Sequence, residues 1–470
     1  MPGPLPGTTS IAGKTVLRIS SKRFRKGRQN GTLRTVSAAD LQPQEYIRRV
    51  VDGELDDLLP SLAAVAIEGA KAVGKTATAA ERARTVYRLD QDEQRLLIKA
   101  DSSRLLQGEP PILVDEWQRM PSSWDVVRRA VDDRRTPAGS FILTGSASAA
   151  PEANLHSGAG RIVTVRMRPM TLLERGVARP TVSLAGLLQG AGLEIAGRTA
   201  VRLADYVDEI LASGFPGLRG LTGRPLRAQL DGYLDRIVER EFPQLGVNIR
   251  NPAALRRWLA AYAAASSTTT SFEKIRDAAS AGQDEKPAKK TVGAYRDALE
   301  RLWVLDPLPA WAPTRSHLRR LSYPPKHQLV DPALAARLLG VGAGALLQQE
   351  RVPVQPPIQR GGMLLGGLFE SLVTIDVRVY AQAAEARVGH LRTASGDREI
   401  DLIVERDDGR IVAIEVKLSA VPDDHDVRHL HWLKDRLGDG LLDMVVIGTG
   451  AYAYRREDGV AVVPAALLGP

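Results

Sequence analysis

One stretch constrains this chain more than any other: "EGAKAVGKTATAAERA", residues 68–83. Gly69, Gly74, Lys75 and Thr76 fill every fixed position of the pattern G-x-x-x-x-G-K-[ST]. The glycines let the backbone curl until its N–H groups point inward at phosphate oxygens. The predicted cradle runs from Gly69 through Ala70, Lys71, Ala72, Val73, Gly74, Lys75 and Thr76 to Ala77. Lys75 is placed to reach the β- and γ-phosphates, and the Thr76 hydroxyl to take a place on Mg²⁺. Before the loop, "LAAVAIEG" reads as a buried parallel strand. After it, "TATAAERART" reads as a helix whose N-terminus adds its dipole to an anion site. Strand, loop and helix together predict an α/β fold that takes ATP and Mg²⁺.

A phosphate cradle also needs a carboxylate for the metal and a group to orient water. "PPILVDEWQRMP" (110–121) supplies both about 40 residues on: two acids close an apolar strand. Asp115 is placed to hold Mg²⁺, directly or through water, and Glu116 to polarise the attacking water. A further strand, "SFILTGSAS" (140–148), ends in hydroxyls, of which Thr144 or Ser146 contacts the γ-phosphate or its water.

"GAKAVGKT", "LVDEWQRMP", "FILTGSAS" and "GAGRIVTVRMRPMTLLE" together resemble the bacterial and archaeal AAA-type ATPases that carry a C-terminal DUF4143 region. The resemblance runs from about Tyr46 onward. It implies that Asp115 and Glu116 are the Walker B pair, that Thr144 or Ser146 is the sensor, and that Arg161 is an arginine finger or phosphate sensor. Arg161 reads equally as a surface cation opening the "RIVTVRMRP" strand. Arg166 and Arg168 read as solvated charges on that strand's face.

Composition narrows the alternatives. The chain has 470 residues, too many for one core, and its 44% hydrophobic and 25% charged content is that of a soluble globular protein. It holds no cysteine, hence no disulfide framework, thiol nucleophile or Cys-based zinc site. No apolar run reaches the length of a membrane span, and "MPGPLPGTTSIAGK" lacks a signal-peptide core, so a cytoplasmic location is expected. The net charge is +9, with Lys14, Arg18, Lys22, Arg23, Arg25, Lys26, Arg28 and Arg34 opposed only by Asp40 in the first 40 residues. Such an arm binds nucleic-acid phosphates or serves as a solubilising tail.

The expected fold class is α/β: a P-loop NTPase core of AAA type, a helical lid, a winged helix and a C-terminal α/β restriction-endonuclease-like domain. The expected boundaries are a basic flexible arm at 1–44, the ATPase core at 45–178, the lid and linker at 179–250, the winged-helix-like domain at 251–350 and the nuclease-like domain at 351–470. In the lid, Arg240 and Glu241 stand where the resembled family shows Arg-Asp. "AALRRWLAAYAAASS", "TTSFEKIRDAAS" and "TVGAYRDALERLWVL" are three helices in winged-helix order, the second capped by Thr270 or Ser271. If the last entered a major groove, Lys289, Lys290, Thr291, Tyr295 and Arg296 would lead. Arg315, Arg319 and Arg320 would be wing cations on phosphate. The alternative is a module that only packs or binds a partner.

The C-terminal third carries a second constellation. "GDREIDLIVERDDGRIVAIEVKLS" reads as two strands joined by a "DDG" turn. Glu415 and Lys417, two apart, share one face, and Asp401 lies early in the partner strand. Asp401 and Glu415 are candidate metal ligands with Lys417 beside them to activate water, and Glu370 on an upstream helix is a fourth member. The arrangement resembles the PD-(D/E)xK nuclease core, in which carboxylates hold Mg²⁺ against a phosphodiester. That fold also serves as a non-cutting binding module, so the sequence leaves three functions open. One is ATP turnover coupled to DNA processing. Another is an ATP-gated switch that binds nucleic acid or a protein without cleaving. The third is a DNA-binding regulator whose nucleotide only stabilises the fold. Oligomerisation is compatible with all three, with Arg161 acting in cis or in trans.

Overall fold

A computed structural model of the chain describes residues 46–133, 136–146, 158–190, 192–247, 249–282, 286–312, 323–348, 361–393 and 395–470. The basic arm expected at 1–44 and the expected wing cations Arg315, Arg319 and Arg320 lie outside the described residues.

The first sheet has five parallel strands: β1 (Ala64–Glu68), β2 (Thr85–Arg88), β3 (Ile112–Asp115), β4 (Phe141–Gly145) and β5 (Val163–Arg166). Their order across the sheet is β2-β3-β4-β1-β5. Continuous apolar runs such as Ala64–Ile67 and Ile112–Val114 are the signature of strands covered on both faces. Alternate residues divide accordingly. Val65, Ile67, Leu113 and Ile142 enter one core, while Ala66, Val114, Phe141 and Leu143 enter another. Strand order reverses at β1, which β4 and β5 flank. The crevice beyond the C-terminal ends of such strands is where open α/β sheets bind ligands, and the glycine loop leaves β1 there.

A short β6 (Val182–Ser183) and β7 (Gly197–Arg198) follow. They join the far end of the chain, β6 pairing with β14 (Leu468–Gly469) and β7 with β12 (Tyr452–Arg455). Helices then dominate. Leu203–Ala212 and Gly223–Arg236 come first, the latter continuing through a π-helical turn at Ile237–Glu241. Pro252–Ala264, Phe272–Ser280 and Lys289–Arg301 come next. Ser271 caps the second of these three by accepting from the Lys274 N–H. Two isolated antiparallel bridges, Leu305 to Leu329 and Leu308 to Lys326, close this stretch.

The last sheet adds β8 (Arg387–Arg392), β9 (Glu399–Glu405), β10 (Ile411–Val416), β11 (Leu441–Gly448) and β13 (Ala461–Pro464). The seven-stranded order is β7-β12-β13-β11-β10-β9-β8, antiparallel among β8, β9 and β10 and parallel from β10 through β11 to β13. The helix Gly361–Ala383 sends Leu368, Leu372, Val373 and Tyr380 into the core that Val412, Ile414 and Val445 share. The helix Asp424–Leu437 packs Val427, Leu430 and Leu433 against Ile411, Ala413 and Val446 of the other face.

Candidate functional site

The loop between β1 and the helix Lys75–Ala80 has the backbone that a phosphate cradle needs. Gly74 adopts φ 105 and Ala72 φ 68, both left-handed. A Cβ added at Gly69 would lie 2.2 Å from the Met167 carbonyl oxygen, so only glycine fits against the backbone that follows β5. The buried Lys75 ammonium donates to the loop's own carbonyls, at 2.9 Å to Gly69 and 2.8 Å to Ala70. Burial pulls its pKa down to about 8, against the pull of Glu116 and Asp115.

β3 and β4 bring their ends to this loop. Asp115 Oδ1 accepts from the Thr76 hydroxyl at 2.7 Å and also from the buried Thr144 hydroxyl. Glu116 follows in a left-handed turn, φ 55, which aims its carboxylate back across the strand ends. There it accepts from Gln118 Nε2 at 2.5 Å, with the Ser146 hydroxyl 3.2–3.3 Å from its two oxygens. Burial raises the Glu116 pKa, tempered by the Lys75 charge. The two hydroxyls therefore divide: Thr144 meets the Asp115 carboxylate and Ser146 meets Glu116. Thr76 and Asp115 are the residues present that could hold the metal. Their oxygens are spaced like adjacent ligands of one Mg²⁺, whose Mg–O distances are about 2.0–2.1 Å, so this pair fits the ion.

Three features of this region were not visible in sequence. Lys71, inside the loop, pairs with Glu241 at the end of the π turn, 2.5 Å apart. A cleft of about 250 Å³ opens between the loop and the helices, lined by Lys71, Ala72, Ser146, Tyr233, Arg236 and Glu241 among others. The arginines read as solvated are buried instead. Arg166 stacks 3.4 Å above the Trp303 ring, and Arg168 and Arg378 grip Asp306 at 2.8 and 3.0 Å, with Arg166 3.9 Å away. Residues remote in sequence, Trp303 and Asp306 after one helix and Arg378 in another, cover that strand face, and no local pattern announces them. Arg161 is half-exposed and paired with Asp132 at 2.7 Å. Tyr295, expected at a groove-facing helix start, is buried against Trp258 and Phe242, because its face of the helix is the apolar one.

The second constellation assembles around a buried ammonium. Asp401 and Glu415 are buried on adjacent strands, and Lys417 Nζ lies 2.7 Å from Glu415 Oε2. Into the space between Asp401 and Glu370 comes Lys326, fully buried, its ammonium 2.9 Å from Asp401, 2.8 Å from Glu370 and 3.2 Å from Glu399. Among the described residues Glu370, Asp401 and Glu415 do not bring all three sets of ligand atoms together, although Glu415 approaches Asp401 and keeps its Oε1 buried without a hydrogen-bond partner. Glu370 and Asp401 are bridged by an ammonium, and Glu415 is turned to Lys417. Among the described residues, the acid and histidine group whose ligand atoms do converge is Asp423, His425 and Asp426, at the exposed start of a helix. Burial pushes the Glu370 carboxyl up to about 8. Burial also works against Asp401, yet the Lys326 and Lys417 charges hold it down at about 2. Lys326 and Glu399 were not legible as members. "YPPKHQ" carries no motif, and the contact joins residues 75 positions apart.

The AAA domain family matches residues 62–175, a domain of unknown function, DUF8612, matches 203–344, and another, DUF4143, matches 365–468. The chain thus carries an AAA-type domain with a P-loop, followed by a C-terminal DUF4143 region. Uncharacterized protein Rv2008c of Mycobacterium tuberculosis and Mb2031c of Mycobacterium bovis are each 26% identical over 365 residues, 75% of this chain and 68% of theirs. Among solved structures, the Walker-type ATPase PABY2304 of Pyrococcus abyssi aligns with 64% of this chain and 99% of its own, at 14% identity and a TM-score of 0.38. Among the described residues no helix is long and apolar enough to cross a membrane.

Proposed function

We propose that this chain is a Mg²⁺-dependent ATPase whose turnover is coupled to DNA through the segments that follow its ATPase core. The observation that carries the reading is the meeting of Thr76, Asp115 and Thr144 at one carboxylate, with Glu116 held beside them by Ser146 and Gln118. Thr76 and Asp115 would hold Mg²⁺, which would supply positive charge to offset that of the phosphates. Lys75 leaves the Gly69 and Ala70 carbonyls for phosphate oxygens, exchanging one pair of acceptors for stronger, charged ones. Glu116, its pKa raised by burial, orients the attacking water and draws its proton as the γ-phosphoryl group departs. Ser146 and Gln118 hold that carboxylate in register.

Coupling runs along the Lys71–Glu241 contact into the helices Gly223–Arg236 and Pro252–Ala264. DNA is the proposed partner because the chain is strongly basic and Lys289 and Lys290 open an exposed helix end. The test is ATP turnover by the purified chain with Mg²⁺ or a chelator, with and without duplex DNA. Loss of turnover on chelation supports the ATPase reading, and acceleration by DNA supports the coupling. Turnover indifferent to DNA would leave the ATPase and remove the coupling.

A further inference from the structure

The acidic centre of the C-terminal sheet contains its own cation. Lys326 lies in the strand-like stretch that follows the middle helices, and its backbone exchanges hydrogen bonds with Leu308 at 3.0 Å in each direction. Its neighbours are pinned as firmly. The His327 N–H donates to the Thr268 carbonyl, and the Gln328 side chain bonds Ser267 and Ser371. The side chain therefore enters the centre from a fixed base. At its tip the ammonium is inaccessible to solvent and meets three carboxylates, Glu370 from the long helix and Glu399 and Asp401 from β9. The second Asp401 oxygen accepts from the Val416 N–H at 3.0 Å. Lys417 takes one Glu415 oxygen, and Arg392 approaches Glu399 at 3.1 Å.

An ammonium has three N–H donors, and here three carboxylate oxygens lie at hydrogen-bond distance from it. A divalent cation in the same place would need those oxygens at about 2.0–2.6 Å from its centre, and the ammonium would have to leave. Leaving is costly. Lys326 has no solvent to move into, and a buried charge stripped of its partners is among the most expensive defects a protein can carry.

We infer that Lys326 serves as a built-in counter-cation of the Glu370–Glu399–Asp401 centre, so that this centre holds no divalent metal, cuts no phosphodiester, and instead clamps residues 323–329 onto the sheet. This goes beyond the proposed ATPase, which stands or falls separately. It also has a consequence that a merely decorative salt bridge lacks. Removing the lysine leaves an acid-lined space that a divalent cation can fill.

The experiment uses the full chain, free of nucleotide and carrying Asp115→Asn so that the P-loop contributes no metal site. Mn²⁺ binding is followed by calorimetry and by thermal unfolding, and nicking of supercoiled DNA is assayed with Mg²⁺ and Mn²⁺. With Lys326 present, no Mn²⁺ binding is expected at the centre, and no nicking. Lys326→Ala should unfold at lower temperature in chelator. Mn²⁺ should restore about 2 °C or more, and adding Glu370→Gln should abolish that restoration. Mn²⁺ binding or nicking with Lys326 intact, lost on Asp401→Asn, would overturn the inference. So would a folded Lys326→Ala chain indifferent to Mn²⁺. If Lys326→Ala does not fold, Lys326→Gln supplies the same comparison, and the measurements on the chain that retains Lys326 decide alone if neither folds.

Discussion

Replacing Asp306 by Asn tests how the ATPase sheet is fastened to the rest of the molecule. Asp306 follows the helix Lys289–Arg301. It receives Arg168, just beyond β5, at 2.8 Å and Arg378, from the helix Gly361–Ala383, at 3.0 Å, with Arg166 of β5 at 3.9 Å. All four side chains are at most 15% exposed. At an effective dielectric of about 20, a unit pair near 3 Å is worth roughly 5 kcal/mol before desolvation. Desolvation and the mutual repulsion of three guanidiniums offset most of that. The cluster is already short of negative charge, since burial pulls Arg166 down to about 9 and Arg378 to about 10 despite Asp306. Asn keeps the shape and one acceptor but removes the only carboxylate the three guanidiniums share. The expected loss is about 3–5 kcal/mol, the usual cost of breaking a buried pair from one side. Urea unfolding followed by tryptophan fluorescence reads it, with Trp303 stacked on Arg166 as a local reporter. Burial alone would raise the Asp306 pKa, but the arginines hold it well below the ordinary aspartate range. Its contribution is therefore complete above the unfolded pKa and fades as pH falls through the folded one. Parent and variant should differ at pH 7 and converge only in strong acid. A difference below about 1 kcal/mol at pH 7 would refute the reasoning, because it would mean that the carboxylate was not holding the guanidiniums.

The remaining predictions concern the nucleotide site. Lys75→Ala should lose ATP binding while thermal stability is kept, and equal nucleotide affinity in variant and parent would remove the P-loop assignment. Since the free Lys75 ammonium titrates near 8 and bound phosphates would raise that value, ATP affinity should be flat below pH 8 and fall above it, by at most about tenfold per pH unit. A fluorescent-nucleotide titration from pH 7 to 9.5 checks this, and a flat profile throughout counts against it. Glu116→Gln should keep ATP affinity and lower turnover by about 10² or more, read by phosphate release. Parental turnover would show that another group orients the water. Glu241→Gln removes the acid that competes with phosphate for Lys71. That pair is partly exposed, 42% on the lysine side, and worth about 0.5–1 kcal/mol, so ATP should bind about 2–5-fold tighter. Unchanged or weaker binding would sink that competition.

What could be read from the sequence is what local spacing controls. A P-loop is a run of eight residues whose backbone must curl, so Gly69, Gly74, Lys75 and Thr76 declare it by themselves. Asp115 and Glu116 end an apolar strand, and a parallel sheet delivers all its strand ends to one edge, so their approach to the loop follows from the alternation of strands and helices. The β9–β10 pairing announced itself equally, through alternating apolar residues and an Asp-Asp-Gly turn. What the sequence could not hold is which distant element covers a given charge. Arg166 and Arg168 look like surface cations on a strand until Trp303, Asp306 and Arg378, more than 130 residues away, close over them. Asp401, Glu415 and Lys417 have the spacing of a metal centre, and that spacing is real. The charge that faces Asp401 is Lys326, brought in by a stretch with no motif, through a bridge to Leu308. Short-range geometry is written in residue periodicity. The electrostatic state of a buried site depends on every charge that folding brings within a few ångströms, and tertiary structure alone determines that sum.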